Sequence, residues 1–359
     1  MHRRNLLLWL TATVLLTPAT TLSQARRPSQ QGSTVRVHRQ VEEDPIFTPE
    51  LNRAEAAMDK QDYASAEKDL LTATEKNPKN YRAWFDLGFI YNQTDRDPQS
   101  IDAYRKSVEA NPQVFESNLN LGVLLARAKD PEAEKYLRDA TKLKPVARQE
   151  EGWYRAWLSL GQVTRSTKPA DAIEAFRNAA KLKPTDPEPH LSAGLLLEQQ
   201  NQFGEAAAEY QKAAQLDPKS SEALAGMVNA YTKLQQFPEA EAALRKFIAL
   251  DPSNATAHVQ LGRILVAQHK WDEATAELEA GLKAKPGDPT AEKEIASIYL
   301  AQRLYDQALP HLQAALKSSP QDPQLLHSIG IVLINQKKFA DAQAALVSAV
   351  KLKPDYGEA

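Results

Sequence analysis

Few side chains in this 359-residue sequence have the type and spacing for covalent or metal chemistry. The seven histidines are scattered; none makes an H-E-x-x-H pair and no ligand-spaced cluster collects them, so no metal centre is predicted. There is no cysteine, which removes thiolate metal sites, disulfides and lipid attachment at an N-terminal cysteine. G-x-S-x-G, the phosphate loop and G-x-G-x-x-G are all missing. The acidic pairs Glu42-Glu43 and Glu150-Glu151 lie in leader and connector sequence, where they read as solvated charge. The expectation is a protein without catalysis, cofactor or metal, whose work is recognition.

Bulk properties narrow what it recognises. A formal charge of −2 predicts no nucleic-acid affinity from electrostatics alone. No internal stretch reaches the roughly 18 apolar residues of a membrane span. The start of the chain has its own grammar. "MHRRN" is positive, "LLLWLTATVLL" is apolar, and Ser23 and Ala25 stand three and one residues before a cut. Residues 1–25 therefore predict a secretory signal peptide cleaved after Ala25, and a periplasmic or secreted mature protein. Residues 26–46 lack helical periodicity and read as a flexible leader.

The elements that would position a binding face repeat. Pro78, Pro112, Pro145, Pro184, Pro218, Pro252, Pro286, Pro320 and Pro354 each close a run of helix formers, at steps of 34, 33, 39, 34, 34, 34, 34 and 34 residues. Within one unit, Trp84, Leu87, Gly88 and Tyr91 share one helical face, and Ser100, Tyr104 and Ser107 share another after "TDRDPQ". The unit is a helix, a turn and an antiparallel helix ended by proline. A small residue recurs on the first helix (Ala54, Gly88, Gly122, Gly161, Gly262, Gly330). The second helix supplies an alanine and then a bulky residue four later, as in Ala172 and Phe176. Asp186-Pro187, Asp288-Pro289 and Asp322-Pro323 place a capping carboxylate before a proline at a helix start. His190 and His258 fall in the register of Trp84, which predicts packing.

This pattern resembles the tetratricopeptide repeat. W-x2-L-G-x2-Y is complete from Trp84 to Tyr91, and the A-x3-[FLY]-x2-A-x4-P half is nearly complete in most units. The resemblance implies an all-α, right-handed superhelical solenoid of nine repeats over residues 47–356. Their bounds are about 47–80, 81–114, 115–147, 148–186, 187–220, 221–254, 255–288, 289–322 and 323–356, with 357–359 opening an incomplete tenth. There are three departures. Six extra residues precede the first helix of the fourth repeat, whose turn is one residue short; there the helix is expected to lengthen, with Trp153 covering apolar surface. In the sixth repeat Val228 and Phe247 replace small residues, so different packing is expected. The chain also ends without a polar capping helix, which leaves an exposed face or a truncated sequence as alternatives.

In this family the first helices line a concave face that takes extended peptides or partner helices. Carried over by position, the groove residues are the second, fifth, ninth and twelfth of each repeat. They include Arg82, Phe85, Phe89, Asn92, Leu119, Val123, Arg155, Leu158, Gln162 and Arg165. Further along come Glu188, Leu191, Leu195, Glu198, Asn229, Arg263, Val266, Lys293, Leu300, His327, Ile331 and Ile334. Phe85 and Phe89 suit an apolar anchor, or else pack against the stack. Arg155, Arg165, Gln162 and Asn229 suit carboxylates and amides, or else balance surface charge. The carboxylate clamp of some family members is excluded, because Leu51 and Glu55 hold its places. The implied function is a non-enzymatic protein- or peptide-binding scaffold. The alternative is the repeat arm of a larger enzyme truncated after Ala359.

Overall fold

The structure is a computed structural model, and it describes residues 48–354. The expected signal peptide, the leader and the start of a tenth repeat lie outside the described residues. These residues are helical throughout their regular structure, and they fall into two compact units, 48–200 and 201–354.

The first unit holds α1 (Pro49–Asp59), α2 (Tyr63–Lys76), α3 (Tyr81–Gln93), α4 (Asp97–Ala110), α5 (Phe115–Arg127), α6 (Ala133–Ala140), α7 (Gln149–Thr164), α8 (Pro169–Leu182) and α9 (Glu188–Gln199). The second holds α10 (Phe203–Leu216), α11 (Ser221–Lys233), α12 (Phe237–Leu250), α13 (Ala255–Ala267), α14 (Trp271–Ala284), α15 (Pro289–Ala301), α16 (Tyr305–Ser318), α17 (Pro323–Asn335) and α18 (Phe339–Leu352). Within each unit every helix packs mainly on its neighbours in sequence, the arrangement of an α-solenoid.

Helix starts are set by side chains that accept otherwise orphaned backbone N–H groups. Asp288 accepts from Thr290 and Ala291 at 2.9 and 3.2 Å, and Asp322 from Gln324 and Leu325 at 2.9 and 3.3 Å. Asn80, Ser220 and Asn254 do the same for α3, α11 and α13. At α9 the helix begins one residue later than the Asp-Pro pair suggests, and Asp186 caps it through the Glu188 N–H at 3.0 Å.

The turn inside a repeat has a fixed form. Gln61, Asp95, Lys129, Asn201, Gln235, His269, Arg303 and Lys337 all adopt left-handed backbone, with φ from 55 to 61°. That conformation reverses the chain two residues past the first helix and is mildly unfavourable for a residue with a side chain. After α7 none of residues 165–168 is left-handed, and these four residues join it to α8.

Helix crossings explain the small–bulky pattern. A Cβ at Gly161 would lie 2.6 Å from the Phe176 ring, and one at Gly262 would lie 2.6 Å from Leu278 Cγ. In the sixth repeat Val228 is fully buried, and the glycine sits two residues earlier: Gly226 faces the Tyr210 ring of the preceding helix. In the fourth, α7 runs 16 residues, and the half-buried Trp153 donates its indole N–H to the Leu143 carbonyl at 2.7 Å.

Acid should weaken the first repeat. Lys76 donates to the Glu50 carboxylate across 2.9 Å, and that bond, with backbone N–H groups, brings the carboxyl from the ordinary 4.5 down to about 2. A carboxyl with a depressed folded pKa contributes stability above its unfolded pKa and loses it as pH falls through the folded one. Glu50→Gln should therefore lower the melting temperature at neutral pH, with the gap to wild type closing between pH 4.5 and about 2. Melting curves with a gap independent of pH would contradict this.

Candidate binding face

The first helices of the repeats carry the face. On α3, Arg82 is spent on its neighbour: its guanidinium pairs with Glu55 of α1 at 3.3 Å, with the side chain only 12% exposed. Phe85 is a correction to the sequence reading. It is buried, and its ring meets Tyr104 edge-on at 5.5 Å in a cluster with Leu121 and Leu125. The fifth position of a repeat thus faces the following repeat, and Leu119 is buried for the same reason. Truncating Phe85 opens a core cavity and exposes no groove. Phe89 and Asn92, one turn on, are half-buried, and Phe89 rests on the cluster built from Leu51, Leu70 and Leu87.

On α5, Val123 continues the row at the register of Phe89 and is also half-buried. Glu116, at the second position, is buried and accepts the Val146 N–H at 2.8 Å. It therefore fastens the inserted connector to the third repeat. Burial raises its carboxyl above the usual range.

On α7, Arg155 and Leu158 are half-buried, and Gln162 and Arg165 are exposed. Burial pushes the Arg155 guanidinium down from its ordinary value; Glu151 opposes that shift and Arg127 of α5 adds to it. Arg127 is a cation that the four-position rule omitted, because it lies one residue past the twelfth place. The Gln162 amide donates to the Glu188 carboxylate of α9 at 3.3 Å. Burial, and then the Asp186 charge, raise the Glu188 carboxyl. On α9, Leu191 is half-buried and Leu195 is 36% exposed. Along these helices Phe89, Val123 and Leu195 at the ninth position, with Leu158 and Leu191 at the fifth, give a row of partly exposed apolar residues, and the same helices α7 and α9 carry Arg155, Gln162 and Glu188.

The second unit is dressed differently. Arg263 of α13 pairs with Glu294 of α15 at 2.8 Å, and Lys293 of α15 with Asp322, the N-cap of α17, at 2.6 Å. These charges tie successive first helices together. Asn229, Val266, Leu300 and His327 are half-buried, and Ile331 and Ile334 of α17 are 38% and 44% exposed.

The register of Trp84 has a role beyond packing. The Trp84 indole N–H donates to the Pro78 carbonyl at 2.9 Å, and the Asn118 amide to Pro112 at 3.0 Å. His258 lies 3.1 Å from the Pro252 carbonyl through Nε2 and 2.7 Å from Glu277 through Nδ1. A nitrogen donor here ties the first helix to the closing proline of the repeat before. The shared register of Trp84 and His258 was the signal for it.

Comparison with known proteins locates the fold. The profile described as the cilia and flagella-associated protein 70 C-terminal domain, a tetratricopeptide-repeat profile, matches residues 125–359. A tetratricopeptide-repeat profile matches residues 51–115. No curated protein sequence matches the chain. Among solved structures, the C-terminal part of a TPR repeat-containing protein from Cytophaga hutchinsonii is similar at 14% identity and TM-score 0.53, covering 68% of this chain and 99% of that one. At that identity the likeness shows the fold. YrrB, described as a TPR protein with an unusual peptide-binding site, is 23% identical with TM-score 0.46, over 52% of this chain and 96% of its own. A tetratricopeptide repeat protein from Parabacteroides merdae is 16% identical with TM-score 0.40, over 71% and 99%.

Proposed function

The chain belongs to the tetratricopeptide repeat family, and on that premise we propose that it is a non-enzymatic scaffold holding an extended peptide or a segment of another protein. The observation that carries this reading is the apolar row from Phe89 through Val123 and Leu158 to Leu191 and Leu195. In a helix stack, apolar groups carried by successive first helices at the fifth and ninth positions and left partly exposed favour an apolar ligand lying across the helices. Phe85, Arg82 and Arg263 are occupied in holding the stack, so recognition falls to the row and to the polar groups along it. Arg155 is half-buried between Glu151 of its own helix and Arg127 of α5. Two guanidinium groups on the helices that carry the row suit a ligand carboxylate, so an acidic residue beside apolar ones is the favoured ligand pattern.

Selection from a displayed library of random peptides tests this. Apolar-acidic sequences should be enriched, and a Phe89→Ala and Leu195→Asp double variant should lose them, with Leu195→Asp alone weakening binding at an unchanged melting temperature. Anchor truncations typically cost about 2 kcal/mol or more of binding. Enrichment of nothing, or of peptides indifferent to the double change, would refute the reading.

The same proposal places the mature protein in the periplasm or outside the cell, on the strength of the tripartite N-terminal segment ending at Ala25. N-terminal sequencing of protein recovered from its native cells should begin at Arg26; a chain that starts at Met1 would overturn the placement.

A further inference from the structure

At two seams of the first unit, the ninth residue of one first helix reaches the second residue of the next. The seam between α1 and α3 is balanced: Glu55 pairs with Arg82 at 3.3 Å. The seam between α7 and α9 is not. There the ninth place holds Gln162 and the second Glu188, so the carboxylate receives an amide N–H, at 3.3 Å, where a cation would match it. The nearby cation is taken. Lys183 pairs with Asp186 at 3.0 Å, and the Tyr154 hydroxyl donates to the same carboxylate at 2.8 Å. Among the described residues no lysine or arginine pairs with Glu188. Burial and then the Asp186 charge raise its carboxyl, and the Gln162 amide and the Lys183 charge do not cancel that shift. Glu188 is nonetheless open to solvent, with the half-buried Leu191 one turn on. On α7 the same two places hold Arg155 and Leu158, so the plan repeats with the opposite charge. Arg155 has Glu151 and Arg127 about it, and neither Arg155 nor Glu188 influences the other's titration.

We infer that Glu188 selects a basic side chain, so that the ligand lies with an acidic residue over α7 and a lysine or arginine over α9. This rests on the binding face proposed above and adds an order to it: acid, apolar, base. A carboxylate with no cation of its own, one turn from a leucine, suits a side chain of mixed character. The aliphatic stem of a lysine or arginine lies along Leu191 while its charged head meets Glu188. Packed helices stand about 8–10 Å apart and an extended chain advances about 3.3 Å per residue, so the two ligand charges fall about three residues apart.

Titration calorimetry with synthetic apolar peptides tests the order. One peptide carries Asp and Lys about three residues apart; in a second the Lys is Gln, and in a third it is Glu. The wild type should bind the Lys peptide about fivefold more tightly than the Gln peptide, the upper end for an ion pair reached by solvent, and the Glu peptide least. Glu188→Gln, which still accepts from the Gln162 amide, should erase the difference between Lys and Gln. Glu188→Lys should reverse the preference toward the Glu peptide. Because Glu188 is exposed, melting curves should show both variants folded. A wild type that binds the three peptides alike, or a Lys preference that survives Glu188→Gln, would overturn the inference and leave the binding face standing. Binding of none of them by the wild type would overturn both.

Discussion

Everything in this structure rests on how closely two antiparallel helices approach within a repeat. At Gly161 and Gly262 there is no room for one more carbon, since the bulky residue of the second helix fills the space where a Cβ would stand. The tight crossing fixes which sides of the helices meet, and so which side of the first helix is left outward. Phe176 and Leu278 are the other half of the same device, large side chains that fill the glycine notch and exclude water. Gly226 of the sixth repeat gives room instead to Tyr210, the bulky residue of the repeat before.

From that constraint the division of labour along a first helix follows. Its fifth position turns toward the next repeat and is buried at Leu51, Phe85, Leu119 and Val259. The ninth and twelfth stay partly open and carry Phe89, Val123 and Leu195. Charged residues of the first helices divide in two. Arg82, Arg263 and Lys293 reach a neighbouring first helix or its cap and are paired there, while Arg155 lies half-buried between Glu151 of its own helix and Arg127. The first unit thus offers an apolar row with polar flanks, and the second a ladder of ion pairs.

The sequence states the helices plainly, because the 34-residue period, the closing prolines and the small–bulky pairs are local and repeat in phase. Arg82 and Phe85 were harder to read. Position within a helix says which stripe a residue joins, but the next repeat's helix decides whether that stripe's edge is covered, and only the fold supplies it. The hydrogen bonds from Trp84 and His258 to the preceding proline carbonyls were half visible: a common register was evident, whereas the shared donor chemistry emerged only with the carbonyl in place. Arg127 escaped notice because it lies a single residue outside the expected positions.

The claim that local helix crossings hold the array is tested most directly by native-state hydrogen exchange on a Gly161→Ala variant. Overpacking that notch should cost about 1–3 kcal/mol. Because contacts run between neighbouring helices, the loss of protection should fall on α7 and α8 and their flanking helices, leaving α1 to α4 as protected as in the wild type. Uniform loss along the chain, or none at α7 and α8, would contradict it.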